Sequence, residues 1–337
     1  MRPFLLLIGA LVGGSLVVAV QAADITGAGS TFAAPLYFRW AAEYQKAGGG
    51  KVLYHGVGSS DGLKQILAKE IDFAGSDAPL TDDELTKDGL LQFPTAVGGV
   101  VPVVNLPGIK AGELTLSGPL LGDIFLGKIQ YWDDPAIAQL NPKIKMPDTP
   151  IAVVRRQDGS GTTLIWTHYL AQVSPEWKSK VGSNAAVEWP TGVGAKGNEG
   201  VSGNVGQTKN SIGYVEYAYA KQNKLTYTAL INKAGKTVQP TVASFQAAAS
   251  NADWAKAPGY YVILTDQPGE ASWPITASTF ILMQKEPTDK AASGEAIKFF
   301  KWAFANGGKM AEELDYIPMP EAVVKLIEKT WSSDIKS

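Results

Sequence analysis

Leu36, Trp40 and Tyr44 recur every fourth residue, a spacing that places them on one face of a helix. Pro35 suits its first turn, where a missing N–H leaves no partner unpaired, and the glycines at 48–50 stop it. A strand near Ile25 precedes this helix and another at 52–54 follows it. The pattern then repeats. Leu63, Ile66 and Leu67 mark a second helix behind Gly58, and 71–75 reads as a strand ending at Ser76-Asp77. Strand, glycine turn and hydroxyl-bearing helix start at this pitch predict a parallel α/β sheet.

Beyond it lies a β-rich run at 95–105, where a change of sheet or domain is expected. A short helix is predicted around 120–126 and a strong strand at 151–154. That strand runs into Arg155-Arg156-Gln157-Asp158-Gly159-Ser160-Gly161-Thr162 and a helix carrying Leu164, Ile165, Tyr169 and Leu170. The stretch 182–206, rich in glycine, asparagine and lysine, is expected to contain long loops. Strands are predicted at 212–215 and 276–283, and helices around Phe299, Phe300 and Trp302 and around Val323, Val324 and Ile327. No solenoid period is present.

At 337 residues the chain exceeds what one hydrophobic core usually serves, so two domains are expected. Its 45% apolar and 18% charged content argues against a largely disordered chain. Lys and Arg total 30 against 32 Asp and Glu, without a long basic block, which disfavours nucleic acid as a partner. The absence of cysteine removes disulfides, thiol catalysis and iron–sulfur ligation. With only two histidines, neither a metal nor a cofactor is expected. Arg2, the apolar stretch 4–20 and small residues at Val20 and Ala22 predict a signal peptide over 1–22, with a cut after Ala23 as runner-up and an uncleaved anchor as the alternative. The mature protein is thus expected in an exported compartment, and a periplasm fits best.

Three glycine turns carry the chemistry: Gly29-Ser30-Thr31-Phe32, Gly58-Ser59-Ser60-Asp61 and Asp158-Gly159-Ser160-Gly161-Thr162. Each leads from a strand into a helix start, whose unpaired N–H groups and positive dipole end suit a tetrahedral oxyanion. The plainer reading is that the hydroxyls only cap their helices. Arg155 and Arg156 leave the strand on opposite faces, and the pattern does not choose which turns inward. Asp77 would ordinarily cap the next helix, and a carboxylate looks out of place beside an anion. Gly58-Ser59-Ser60-Asp61-Gly62 formally fits a nucleophile elbow with Ser60 as nucleophile, but His55 stands in the wrong order and His168 has only its order in favour. The nine tryptophans are scattered in sequence and read as core or domain-interface residues, with a sugar-stacking cleft as the rival.

These turns, with Phe73-Ala74-Gly75-Ser76-Asp77-Ala78-Pro79-Leu80, Tyr131-Trp132-Asp133-Asp134 and Ile212-Gly213-Tyr214-Val215-Glu216-Tyr217, resemble the periplasmic phosphate-binding proteins of phosphate ABC transporters. The resemblance spans most of the mature chain. It implies a type II periplasmic binding protein-like α/β fold: two α/β lobes, 24–96 with 276–337 and 97–275, and a ligand cleft between them. It implies no catalysis, inorganic phosphate as ligand, an inner-membrane ABC permease and ATPase as partners, and a monomer. Its phosphate contacts fall on Thr31, Phe32 (through the backbone N–H), Ser59, Asp77, Arg156 rather than Arg155, Ser160, Gly161 and Thr162. Asp158 matches the acid that orients the arginine. Asp77 then gains a purpose, as acceptor of the proton on hydrogenphosphate. His55 and Asp61 depart from the family's usual residues beside Ser59. A secreted phosphomonoester hydrolase and a binder of another oxyanion remain the alternatives.

Overall fold

A computed structural model describes residues 23–335, so the expected signal peptide lies outside the described residues. The principal elements are β1 (Ile25–Gly29), α1 (Ala34–Lys46), β2 (Val52–Gly56), α2 (Ser59–Leu67), β3 (Phe73–Ser76) and β4 (Leu90–Val104). They continue with β5 (Ala152–Arg156), α3 (Gly161–Val173), β6 (Val193–Ala195), α4 (Gly197–Gln207), β7 (Ser211–Glu216), β8 (Thr276–Gln284), α5 (Lys290–Asn306) and α6 (Glu321–Asp334). Among the described residues no helix is long and apolar enough to cross a membrane.

The strands join in the order β2-β1-β3-β8-β4-β7-β5-β6. The two flanks are parallel as predicted: β1 pairs with β2 and β3, and β5 with β7 and β6. The middle is not. β8 runs antiparallel to both β3 and β4, and β4 antiparallel to β7. Local periodicity encodes which residues are buried but not strand direction, so the antiparallel middle is not foreseen by the parallel reading, which the β1–β3 flank meets.

β4 is fully buried along its 15 residues and links the two flanks. Residues 90–99 pair with β8, the last pair being Thr276↔Gly99, and 100–104 pair with β7, beginning at Val100↔Glu216. The change of sheet expected at 95–105 is thus an exchange of partners within one unbroken strand. Pro94 sits at a register irregularity, where a residue without an N–H is tolerated. The return of the chain lies beside the outward crossing: Trp273 Nε1 donates to the Val100 carbonyl at 2.9 Å, and Val100 N–H to that of Ile275 at 2.8 Å.

The helical faces pack as their spacing predicts. Leu36, Tyr37, Trp40 and Tyr44 of α1 are buried, with Tyr37 and Tyr44 meeting Phe299 and Phe300 of α5 edge-on or tilted. Around β7, Trp166 stacks on Tyr214 with ring centres 4.7 Å apart, and Trp189 joins both Tyr214 and Trp177. Three of the tryptophans scattered in sequence therefore gather behind the Arg156 turn as packing, which answers the sugar-stacking alternative. The stretch expected to hold long loops contains them only to residue 192. Its second half is β6 and the 11-residue helix α4, because Asn198, Val201, Ser202 and Val205 form a buried face that outweighs the low helix propensity of four glycines.

Candidate functional site

The starts of α1, α2 and α3 meet at one place, at the chain ends of β1, β2, β3 and β5. Thr31, Phe32, Ser59, Asp77, Arg156, Ser160 and Thr162 are all at most 3% exposed there, and Gly161 is buried among them. The loops interlock. Ser60 N–H donates to the Gly159 carbonyl at 3.2 Å, and Ser59 Oγ accepts from the N–H groups of Gly161 at 3.1 Å and Asp77 at 3.3 Å. A methyl group on Gly161 would lie 2.6 Å from both Asp77 Oδ2 and Ser59 Oγ, so only glycine permits this approach.

The plain capping reading holds for one of the three turns. Ser160 Oγ accepts from Thr163 N–H at 3.1 Å and caps α3. At α1 the cap position is Ala33 and at α2 it is Gly58, whose φ of 101° is a conformation glycine adopts freely; neither makes a side-chain cap. The hydroxyls of Thr31 and Ser59 are therefore not spent on capping their own helices, and that of Ser59 faces the Asp77 carboxyl. Phe32 N–H is directed to Ser30 Oγ at 3.0 Å and Gly161 N–H to Ser59, so both backbone donors implied by the resemblance are satisfied by serine oxygens.

Asp77 does not cap the helix that follows it. Thr81 does, in a reciprocal pair with Glu84, which frees Asp77 to turn inward. Ser30 Oγ lies 2.6 and 2.7 Å from its two oxygens. Burial pushes the Asp77 carboxyl up to about 6, against the opposing pull of Ser30, Thr279, the Arg156 charge and Ser59. Of the two arginines, Arg156 is the buried one at 2% exposure, while Arg155 is half-buried and donates to the Arg156 carbonyl. Asp158 grips Arg156 in a two-point pair, Nε to Oδ1 at 2.8 Å and Nη2 to Oδ2. Burial works against the Asp158 carboxylate, but the Arg156 contacts and charge and the Gly197 N–H outweigh it and hold the group below its usual range. Tyr214 Oη takes the Arg156 N–H at 3.3 Å, tying the site to the aromatic cluster.

Sequence reasoning missed Ser30 as the partner of Asp77 and missed Asn198 entirely. Asn198 lies in the first turn of α4, within the segment read as loop, and its amide touches Thr31 and Thr162. Thr31 and Phe32 are held from behind by Tyr219 and Tyr316, whose hydroxyls donate to their carbonyls at 2.7 and 2.6 Å. His55 is exposed on β2, and Asp61 pairs with Lys64 on the outside of α2. His168 Nδ1 is bound to Thr265 Oγ1 at 2.7 Å, which leaves Ser60 without the histidine a nucleophile elbow needs. Among the described residues no cluster of His, Asp and Glu is arranged to hold a metal ion.

Over residues 17–306 the chain matches the family model described as PBP superfamily domain. It is 55% identical over 316 residues to the phosphate-binding protein PstS of Xylella fastidiosa, covering 94% of this chain and 87% of that one. It is 52% identical to the PstS of Pasteurella multocida, covering 97% and 95%. A solved structure of a high affinity periplasmic phosphate-binding protein bound with phosphate superposes with a TM-score of 0.71 at 21% identity, covering 91% of this chain and 94% of that one, a likeness of fold.

Proposed function

The chain belongs to the PstS family of phosphate-binding proteins within the PBP superfamily, and we propose that it captures inorganic phosphate in the periplasm and hands it to an inner-membrane ABC permease and its ATPase. It is a binding protein and not an enzyme, as its relatives are named. The observation that carries the reading is the convergence of three helix starts on one buried point holding a single arginine and a single buried aspartate.

In this reading Thr31, Ser59, Ser160 and Thr162 donate their hydroxyls, Phe32 and Gly161 their N–H groups, and Arg156 two charge-assisted bonds to a tetrahedral dianion. The N–H groups of Phe32 and Gly161 exchange serine oxygens for anion oxygens, so neither is left bare. One formal charge, itself paired with Asp158, faces a dianion, and aimed neutral dipoles spread the rest. Asp77 is the lone acceptor. Hydrogenphosphate offers it a proton, whereas sulfate at neutral pH has none to give. An unprotonated oxygen facing that carboxylate costs roughly 2 to 5 kcal/mol, a selectivity of about 30-fold to several thousandfold.

The lobes are 24–96 with 276–337 and 97–275, and the exchange of β4 partners at Gly99 and Val100, with Trp273 lying alongside, supports that division. Thr31, Ser59 and Asp77 then come from one lobe and the Arg156 turn from the other, closing on the anion as a monomer and presenting the closed face to the permease. Calorimetric titration of the mature protein, stripped of anion, with phosphate and with sulfate tests the reading. Tight phosphate binding with sulfate weaker by at least the lower bound above is expected. Indifference to millimolar phosphate ends it, and equal binding of both anions leaves only a general oxyanion site.

A further inference from the structure

Asn198 is 0% exposed, and each of its side-chain atoms has a committed partner. Its Oδ1 accepts the backbone N–H of Glu216 at 2.9 Å, and because an N–H only donates, that bond fixes which way round the amide lies. The NH₂ group carries two protons. One goes to Thr31 Oγ1 at 2.8 Å and the other to Thr162 Oγ1 at 3.2 Å. Thr31 Oγ1 also accepts the Asn198 backbone N–H at 3.1 Å, and Thr162 Oγ1 lies 3.5 Å from Arg156 Nη1. Two donors thus fill the two lone pairs of each hydroxyl. A hydroxyl so engaged has one role left, to donate its own proton.

We propose that Asn198 is a positioning and specificity residue for the phosphate site: it locks Thr31 and Thr162 as obligate donors, so that neither competes with Asp77 for the anion's proton. Without its amide each hydroxyl keeps one of its two donors and gains a free lone pair, with which it can accept a proton from the ligand. The inference rests on the phosphate-binding reading and deepens it. Asn198 comes from α4 and β1's loop supplies Thr31, so the same amide also ties the third and first turns together across the cleft. Charged residues connect to this amide through its partners and neighbours: Arg156 on Thr162, Asp158 through the adjacent Gly197 N–H, Glu216 through its own backbone N–H, and Glu199 as the next residue in the chain.

The test is calorimetric titration with inorganic phosphate at pH 8 on the mature chain. Asn198→Leu should weaken binding about 30-fold, the loss of two oriented donors. In a Thr31→Val, Thr162→Val background the same change should cost less than about fivefold, because Asn198 acts through those hydroxyls. Asn198→Asp keeps the shape and the Glu216 contact but accepts where the amide donated. It should bind about 100-fold more weakly at pH 8 and recover as falling pH protonates the introduced carboxylate. This variant carries the test should Asn198→Leu fail to fold. An undiminished Asn198→Leu penalty in the double-valine background overturns the proposal, as does Asn198→Asp within threefold of wild type at pH 8. If the unaltered protein ignores phosphate, the functional reading falls and takes this one with it; if it binds and the variants fail the pattern, only this one falls.

Discussion

Asp77 is the residue whose meaning changes most between chain and structure. As a carboxylate after a strand it reads as a cap, yet Thr81 holds that position and Asp77 is 1% exposed, with its carboxyl raised to about 6. Since the folded pKa lies above the ordinary carboxylate value, the ligand-free protein gains stability as pH falls through about 6 and loses it as pH rises past that point. Asp77→Asn should abolish this gain, as thermal melts of the stripped protein at pH 5 and pH 8 would reveal. The same substitution should relax discrimination against sulfate more than it weakens phosphate. Comparable losses for both anions, measured by calorimetry, would contradict a proton-reading role. In the unaltered protein, sulfate should compete better at pH 5 than at pH 8, because protonated Asp77 donates. Arg156 and Arg155 make a second contrast. Arg156→Ala removes a buried group and strands Asp158, so phosphate affinity should fall by about 100-fold or more, against less than about threefold for Arg155→Ala.

At the scale of elements, helix starts are the working parts. α1 and α2 open without a side-chain cap, leaving hydroxyls and dipole ends unspent, whereas α3 spends Ser160 on its own cap. Ser160→Ala is therefore expected to lower both phosphate affinity and stability, the latter by a cap's worth of about 1 kcal/mol in denaturant unfolding. Ser59→Ala should lower affinity with a smaller effect on the stability of α2, which it does not cap. α4 shows the opposite bias. Its glycines are poor helix formers, and the helix persists through the buried face carrying Asn198. Gly203 in its interior is exposed, with open space where a methyl group would stand. Gly203→Ala should stabilise the protein by about 0.5 to 1 kcal/mol in denaturant unfolding and leave phosphate affinity unchanged.

Across the whole molecule, everything converges on β4. One continuous strand changes partners at Gly99 and Val100, and the return crossing is hydrogen-bonded to it there. On the proposed division, the bonds between the lobes at the site are polar, among them Gly161 to Ser59, Ser60 to Gly159, Asn198 and Tyr219 to Thr31, and the 2.9 Å contact between Tyr316 and Glu216. Such contacts are weak without an anion to organise them. Small-angle scattering should register a smaller radius of gyration on adding phosphate to the stripped protein, and none in Arg156→Ala. Saturating phosphate at about 100 times Kd should add about 2.7 kcal/mol to stability.

The α1 and α2 faces, the strands at either flank and the three glycine turns were legible in the chain because burial period and turn chemistry are local. The resemblance named Asp77 and Arg156 on the strength of their motifs, and both prove buried at the meeting point. Strand direction in the middle of the sheet, the helix hidden in a glycine-rich stretch, Ser30 beneath Asp77 and Asn198 between two threonines were not legible. Each depends on partners dozens to more than a hundred residues away, and a hydrogen bond has direction and reach that no spacing along one chain encodes. Local sequence decided which groups could donate or accept; the folded sheet decided which of them face one another.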